Sequence, residues 1–330
     1  MNIPAAYDLS VIIPAYNVEE YVDECLASLA LCTFKQRLEI LIIDDCSTDN
    51  TPTRCQEQLS QLNNARIIKH SHNQGAAAAR NTGLDAAQGS YICFIDPDDT
   101  LPVDALQKLY DTATHYDADI VKGNNTLFND KKSVAAGYNC KSSQLLRGEE
   151  VLGCLLAQEL VRGHPWGKIF KRACIANTRF PIGVRMAEDL VFCAEVFSNA
   201  SKFILLDQTT YHYRLRKTGA SGSKYSSGAY LDWLNSIDRC AHFVRTKFQE
   251  KQYIKLQVRT LLQLVREALK IEDEQCRLTV NQEVHKQLKT WGLSKRRVIK
   301  EKLGLSVLFR LAKAERGLRK LNKDSSVALQ

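Results

Sequence analysis

Apolar residues in the first 120 positions fall in short runs separated by longer amphipathic stretches. LSVIIPA (9–15) is apolar and β-branched and reads as a strand. VEEYVDECLASLAL (18–31) then sets Val22, Leu26 and Leu29 at helical spacing, with Asn17 as the expected N-cap. LEILIID (38–44) predicts a second strand, STDNTPTRCQEQL (47–59) a helix opening on capping residues, and ARIIKH (65–70) a third strand. Residues 75–87 predict an alanine-rich helix ended by Gly89. SYICFID (90–96) predicts a fourth strand, LPVDALQKLYDTA (101–113) the helix after it, and DIV (119–121) the start of another strand. Strands alternating with helices mean β-α-β units and a parallel, doubly wound sheet, so the chain is of the α/β class.

The pattern loosens after residue 121. Residues 122–165 are more polar and less periodic, with a helix predicted over 148–158. HPWGKIFKR, the loop RFPIGVRMAEDLVFCAEVF, a strand KFILLD and then YHYRLRKTGASGS follow, and from about residue 225 the pattern is helical to the end.

Composition narrows the setting. None of the 330 residues belongs to an apolar run near 18 long, so no membrane span is expected. MNIPAAYDLSVIIP has neither a basic leader nor a long apolar core, so a secretory signal is not expected. Eleven cysteines stand singly, without C-x-x-C, and several lie in apolar runs, as Cys93 does in YICFI. They read as reduced packing thiols of a cytoplasmic chain, not as a disulfide frame or a zinc site.

The net charge of +8 is carried by residues 291–330, which hold eleven Lys/Arg and three Asp/Glu, while residues 1–290 hold 34 of each sign. No nucleic-acid surface is therefore expected on the body. In the tail, Leu303, Val307, Leu311, Ala314, Leu318 and Leu321 form one stripe, and Lys302, Arg310, Lys313, Arg316, Arg319, Lys320 and Lys323 lie largely away from it. This predicts a basic amphipathic helix on an anionic membrane surface, peripheral to the inner face of the cytoplasmic membrane. The alternative is an ordinary helix packed on the body with a solvated basic face.

FIDPDDTLP (94–102) carries the first chemistry. Asp96, Asp98 and Asp99 stand within four residues directly after an apolar run, and like charges this close repel. Helix capping accounts for Thr100 and Asp99 but not for three carboxylates. A divalent cation does, and hard oxygen ligands suit Mg²⁺ or Mn²⁺ completed by a diphosphate. The D-x-D-x-D-G spacing of a calcium loop is missing, as are the Walker pattern and a G-x-G-x-x-G after the first strand. A P-loop kinase and a dinucleotide dehydrogenase are thus disfavoured. Asp44-Asp45 also follows a strand, and in open α/β sheets strand ends from both clusters meet at one crevice.

IIPAYNVEEYVDECLASL, then IIDDCSTDNT, then HNQGAAAARNTGLDAAQGSYICFIDPDD together resemble the donor-binding half of the family 2 inverting glycosyltransferases, of the GT-A fold. The resemblance is strong over residues 8–125 and extends through PWGKIF, AEDLVF and YHYRLRKTGASGS, which recur in bacterial members that build surface polysaccharides and lipooligosaccharides. It implies a Rossmann-like nucleotide-sugar-binding sheet with a C-terminal helical extension. The catalytic domain would be 1–220, with a donor half 8–125 and an acceptor and base half 126–220, and 221–330 would be the helical region.

The same resemblance implies roles by motif. Pro14, Tyr16 and Asn17 line the nucleotide pocket, Asp45 contacts the nucleobase and Asp44 supports it. Gly75 and Arg80 lie near the nucleoside and diphosphate. Asp96 faces ribose or donor sugar, Asp98 binds the metal, and Asp99 shares in this. Glu188-Asp189 resembles the E-D motif, in which the Asp is the catalytic base; a first-turn carboxylate on a helix dipole is the plainer reading. Trp166 and Lys168, beside His164, fall on the acceptor side, with Trp166 either stacking on a sugar or buried as core. Alternation in Tyr211-His212-Tyr213-Arg214 predicts two of the four buried, and Arg214 and Arg216, with the loop 218–223, could cover the diphosphate. Cys46 stands where the family usually has Gly, and Gly167 where W-x-K usually has Asn.

These roles describe a hexosyl- or N-acetylhexosaminyl-transferase. It would take a nucleotide-diphosphate sugar, UDP-sugar first, and pass the sugar with inversion to a saccharide or lipid-linked saccharide in polysaccharide or lipopolysaccharide biosynthesis. Mn²⁺ or Mg²⁺ would stabilise the leaving diphosphate. A nucleotidyltransferase shares the strand-end carboxylates but has no use for an E-D base some 90 residues downstream. A non-catalytic sugar-nucleotide-binding protein at the membrane has no use for the base at all.

Overall fold

The apolar runs become strands, and all but the third, at the sheet edge, bury both faces under helices. β1 (Tyr7–Ala15), α1 (Val22–Ala30), β2 (Leu38–Asp44), α2 (Thr51–Gln58), β3 (Ala65–Lys69), α3 (Ala76–Ala86), β4 (Gly89–Phe94) and α4 (Ala105–His115) follow in order. β1 pairs in parallel with β2 on one side and β4 on the other, and β3 extends the sheet beyond β2. The chain therefore winds outward from β1 and then returns to β4. That reversal opens a crevice at the carboxyl ends of β1 and β4.

The second half is β5 (Ile120–Asn129), β6 (Lys132–Ala136), β7 (Gln144–Arg147), α5 (Glu149–Ala157), β8 (Lys168–Lys171), α6 (Arg172–Ile175), α7 (Glu188–Asn199) and β9 (Lys202–Arg214). α8 (Ser227–Cys240), α9 (Lys247–Ala268) and α10 (Glu274–Thr290) complete the described elements. The strands form one nine-stranded sheet in the order β3-β2-β1-β4-β8-β5-β9-β7, with β6 added beside β5. β8 lies antiparallel between β4 and β5, which brings the second half against the crevice. This computed structural model describes residues 5–129, 132–137, 139–216, 227–268, 271 and 274–293, and in the tail 312, 313, 315–317 and 319. The loop 218–223 and all six residues of the tail stripe lie outside the described residues.

Alternation along β1 divides the core. Ile12 joins Leu41, Ile43, Phe94, Phe192 and Leu261 on one face, while Val11 and Ile13 join Leu26, Ile42, Leu106 and Ile169 on the other. α8 to α10 share the first of these cores, through Leu234, Ile254, Leu261 and Val284. In the tail, a Cβ on Gly317 would lie 2.3 Å from Val265 Cγ1, so this turn rests on α9. Among the described residues no helix is long and apolar enough to cross a membrane. All eleven cysteines are free.

Two expected caps are corrected. Asn17 is not the cap of α1, which opens at Val22 with Tyr21 before it; Asn17 has φ 49°. Gly89 does not end α3, whose last turn closes through Ala87 N–H; it begins β4. A Cβ on Gly89 would sit 2.5 Å from Ser10 N, so close strand approach explains the glycine.

Candidate active site

The nucleoside end of the crevice is built at the ends of β1 and β2. Tyr16 is 44 % exposed, an open aromatic face just past β1. Asn17 Oδ1 accepts from Thr48 N–H (2.8 Å), and its own N–H donates to Ser47 Oγ (3.1 Å), so the turn after β1 is tied to the turn after β2. Pro14, within β1, pairs with Ile43 of β2. The two aspartates meet different partners. Asp45 is buried and used by the protein: it accepts from His70 Nδ1 (2.7 Å), Gln74 N–H (2.9 Å) and Gly75 N–H (2.7 Å). It fixes the loop that leads into α3. Asp44 accepts from Ser47 N–H, and its other oxygen has no hydrogen bond, only Lys69 Nζ at 3.9 Å. His70, which also reaches Thr82 Oγ1 at 2.9 Å, was not singled out from sequence; it follows β3 as Asp45 follows β2.

Two departures from family residues have a backbone cause. Cys46 has φ 62° and Gly167 φ 66°. Both positions need the left-handed region, which Gly and Asn adopt readily and Cys only under strain.

Arg80 joins the two halves. It is buried on α3, and its guanidinium lies 3.0 Å from Asp96 Oδ1, 3.2 Å from Asp189 Oδ1 and 3.6 Å from Glu188 Oε1. The position near nucleoside and diphosphate is thereby refined: Arg80 bridges the carboxylate after β4 and the pair opening α7. Burial alone would push its pKa down, but the charges of Asp189, Asp96 and Glu188 hold it above the ordinary value. Burial raises the Asp96 carboxyl to about 6 against the opposing pull of Arg80, with Asp98 adding to the rise. Burial also pushes Glu188 up to about 8, with Asp189 next to it as the second cause. The residue before this pair, Ala187, has φ 62°.

Asp98 and Asp99 part company. Asp98 Oδ2 is 2.6 Å from Arg216 Nε. Asp99 is fully buried, accepting from Tyr211 Oη (2.7 Å) and Arg214 N–H (2.7 Å). The expectation that Asp99 shares in metal binding is corrected: it is a strut between the loop after β4 and β9, its carboxyl kept well above the usual range by burial and by Asp96 and Asp98. Tyr211 Oη also accepts from Asp96 N–H at 3.1 Å. Tyr211 and Arg214 are the two buried members of their foursome. Arg214 donates from Nε to Asp98 O (2.8 Å), pairs with Glu24 and lies 4.4 Å over the Phe128 ring. It supports the loop and does not cover a diphosphate. Glu24, in the first turn of α1, carried no sequence signal of this role.

On the acceptor side, Trp166 is 7 % exposed, with the rings of His164 (4.6 Å), Tyr211 (4.7 Å) and Tyr213 (5.1 Å) stacked near-parallel on it. Its ring is packed among these rings, and its edge borders a cavity shared with His164 and Tyr213. Lys168 is corrected. It is fully buried in β8, and its Nζ donates to Arg162 O (3.3 Å) and His164 O, fixing the turn before Trp166. Burial lowers its pKa.

Asp96, Asp98, Glu188 and Asp189 face two guanidiniums, Arg80 and Arg216. The surplus of hard oxygen suits a divalent cation held chiefly by Asp98. Among the described residues no three His, Cys, Asp or Glu side chains are grouped to hold a metal unaided. Other ligands would then come from diphosphate and water, as Mg²⁺ and Mn²⁺ accept.

A parallel sheet with acidic strand ends at its switch point, and a second acidic pair brought in across β8, defines a GT-A glycosyltransferase. The model of glycosyl transferase family 2 matches residues 10–172. Glycosyltransferase GlyG of Streptococcus pneumoniae serotype 4 is 30% identical over 242 residues, 69% of this chain and 76% of that protein. Glycosyltransferase GlyA of the same organism is 32% identical over 220 residues, 64% of this chain but only 31% of GlyA. Among solved structures, Staphylococcus aureus TarS 1-349 in complex with UDP superposes with a TM-score of 0.70 at 20% identity, covering 98% of this chain and 92% of that one. The mannosyltransferase PcManGT from Pyrobaculum calidifontis, in complex with GDP-Man and Mn²⁺, gives 0.57 at 14%, covering 97% and 87%. The chain belongs to glycosyl transferase family 2.

Proposed function

We propose that this chain transfers a hexosyl or N-acetylhexosaminyl group from a UDP-sugar, with inversion, to a saccharide or lipid-linked saccharide of a cell-surface polymer. The observation that carries it is the Arg80 bridge: one buried guanidinium holds Asp96 of the donor side and Asp189 of the base side 3.0 and 3.2 Å away. Tyr16, Asn17, Asp44 and the loop fixed by Asp45 and Gly75 form the nucleoside end. Asp96 orients the donor, and Asp98 would hold Mn²⁺ or Mg²⁺ once Arg216 is displaced from its oxygen. When bound, the cation supplies Lewis-acid stabilisation to the departing diphosphate. Asp189 takes the proton of the acceptor hydroxyl, which typically contributes about 10²–10⁴-fold. Burial and the neighbouring Asp189 push Glu188 up to about 8, which makes it the poorer candidate and leaves the base role with Asp189. Attack from the base side, opposite the diphosphate, inverts the anomeric carbon.

UDP and UDP-GlcNAc are the ligands of solved TarS structures, and two relatives of 27 and 28% identity are poly(ribitol-phosphate) glycosyltransferases, which supports a surface-polymer acceptor. A panel of UDP-, GDP- and CMP-sugars with Mn²⁺, read by thermal stabilisation, tests the reading. Stabilisation by UDP-sugars over the others is expected, and no response to any of them overturns it.

The tail reading is a separate part of the proposal. The eleven basic residues of 291–330 would bring the site to an anionic membrane surface, at about 1 kcal/mol each close to it. Gly317 resting on Val265 belongs to a helix seated on α9, so the contact with lipid would fall to its basic face. Co-sedimentation with anionic vesicles should be lost in a chain ending at Leu293 and weakened by salt. Attachment that ignores both refutes the tail reading alone.

A further inference from the structure

The turn that delivers Asp189 is strained. Ala187 has φ 62° and ψ 24°, the left-handed region, and carries a Cβ there. α7 opens at the next residue, with Glu188 and Asp189 in its first turn. A relaxed Ala187 would leave that region and redirect the first turn of α7, so the surroundings must hold it.

The hold comes from α8, which lies past the expected end of the catalytic domain at 220. Ser236 Oγ donates to Met186 O at 3.1 Å. Asp232 Oδ2 accepts from Arg185 N–H at 3.2 Å and from Arg185 Nε at 2.6 Å. Asp232 and Ser236 are four residues apart and share one face of the helix. For Ala187 to relax, the peptide between Met186 and Ala187 must turn, and its carbonyl is the group that Ser236 grips. Ser236 is 1 % exposed, so the bond is shielded from water. α8 is itself anchored, because its Leu234 and Ile237 share a core with Leu190 and Phe192 of α7. At the other end of the loop, Asn81 of α3 donates to Phe180 O and accepts from Phe180 N–H, both at 2.8 Å. The loop 180–187 is thus tied at one end to the helix that carries Arg80 and at the other to α8.

We propose that Ser236 and Asp232 are positioning residues: by holding the strained turn at Ala187 they aim Asp189 at Arg80 and at the acceptor hydroxyl. The part concerning the hydroxyl rests on the transferase reading above; the part concerning Arg80 does not.

The test uses the full chain with Ser236→Ala, which removes one hydroxyl from a helix that accepts alanine readily. The first readout needs no turnover. The coupling of Arg80 with Asp189, measured by the Arg80→Met and Asp189→Asn cycle in urea unfolding, should fall at least about twofold in the Ser236→Ala background. The second readout is UDP release from the UDP-sugar that stabilises the parent most. Here kcat should fall at least about tenfold, while UDP affinity stays within about twofold because the nucleoside end is untouched. Adding Ala187→Gly should restore the coupling and bring kcat to within about threefold of the parent, because glycine adopts the left-handed turn unheld. A residue that served only folding would show no such rescue. Asp232→Ala, at a more accessible side chain, should move both readouts in the same direction and decides the matter if Ser236→Ala does not fold. An unchanged coupling in the folded variants, or a loss that Ala187→Gly does not recover, overturns the proposal. A parent that releases no UDP strikes the transferase reading instead, and the unfolding cycle still decides whether α8 holds the pair.

Discussion

Replacing Arg80 with methionine keeps most of the side-chain volume and removes the guanidinium that lies between three carboxylates. The side chain is 7 % exposed, with Asp96, Glu188 and Asp189 at 23, 19 and 24 %. Unit charges 3.2 Å apart attract by roughly 5 kcal/mol at an effective dielectric of about 20, and the desolvation of Arg80 takes much of that back. Removing one partner of a buried pair costs about 3–5 kcal/mol, because the other charges stay behind unpaired. Arg80→Met should therefore be destabilised by about that amount in urea unfolding near neutral pH. The informative quantity is the cycle with Asp189→Asn. If the two side chains meet as described, the double variant should be more stable than the sum of the singles by about 1.5–3 kcal/mol, the range for a charged hydrogen bond. A coupling below about 0.5 kcal/mol, the scatter expected of distant sites, would mean that Arg80 does not hold Asp189.

Further outcomes follow from the same geometry. Glu188 is raised to about 8 from an ordinary 4.5, so the fold binds its proton more tightly than the unfolded chain does. Its stabilising contribution is complete below about 4.5 and is lost as pH rises through about 8; Glu188→Gln should gain melting temperature over the parent as pH rises from 5 to 8.5, and a gap constant with pH would refute this. Asp189→Asn should lower kcat by about 10²–10⁴-fold while UDP affinity stays within about twofold, and loss of UDP binding would move Asp189 to the donor site. Cys46→Gly should stabilise the chain by about 1 kcal/mol, since φ 62° strains a residue with a Cβ; an unchanged or lower melting temperature would deny that strain.

The first four strands were legible because parallel strands, three of the four buried, read as apolar runs, and each begins and ends within about two residues of its run. The second half of β9 was harder. Tyr211 and Arg214 are buried there although both carry polar groups, which the fold satisfies with Asp99, Asp98 O and Glu24. β8 hid for the same reason, since Lys168 reads as a surface residue and its ammonium is in fact spent on two backbone carbonyls. The acidic motifs stood out in sequence, but the partition of their work did not. Which aspartate is consumed by loop N–H groups, as Asp45 and Asp99 are, depends on segments brought from 25 to 115 residues away. The bridge from Arg80 to Asp189 crosses 109 residues, and neither helix pattern nor spacing could announce it.

The central claim is that a nucleoside diphosphate and a divalent cation bind together at Asp98. It is tested most directly by calorimetry of UDP with and without Mn²⁺, on the parent and on Asp98→Asn. With no group of three ligating side chains among the described residues, UDP affinity in the parent should rise at least about tenfold with Mn²⁺, and the rise should vanish in Asp98→Asn. Equal affinity with and without Mn²⁺ in the parent, or an undiminished rise in Asp98→Asn, would contradict it.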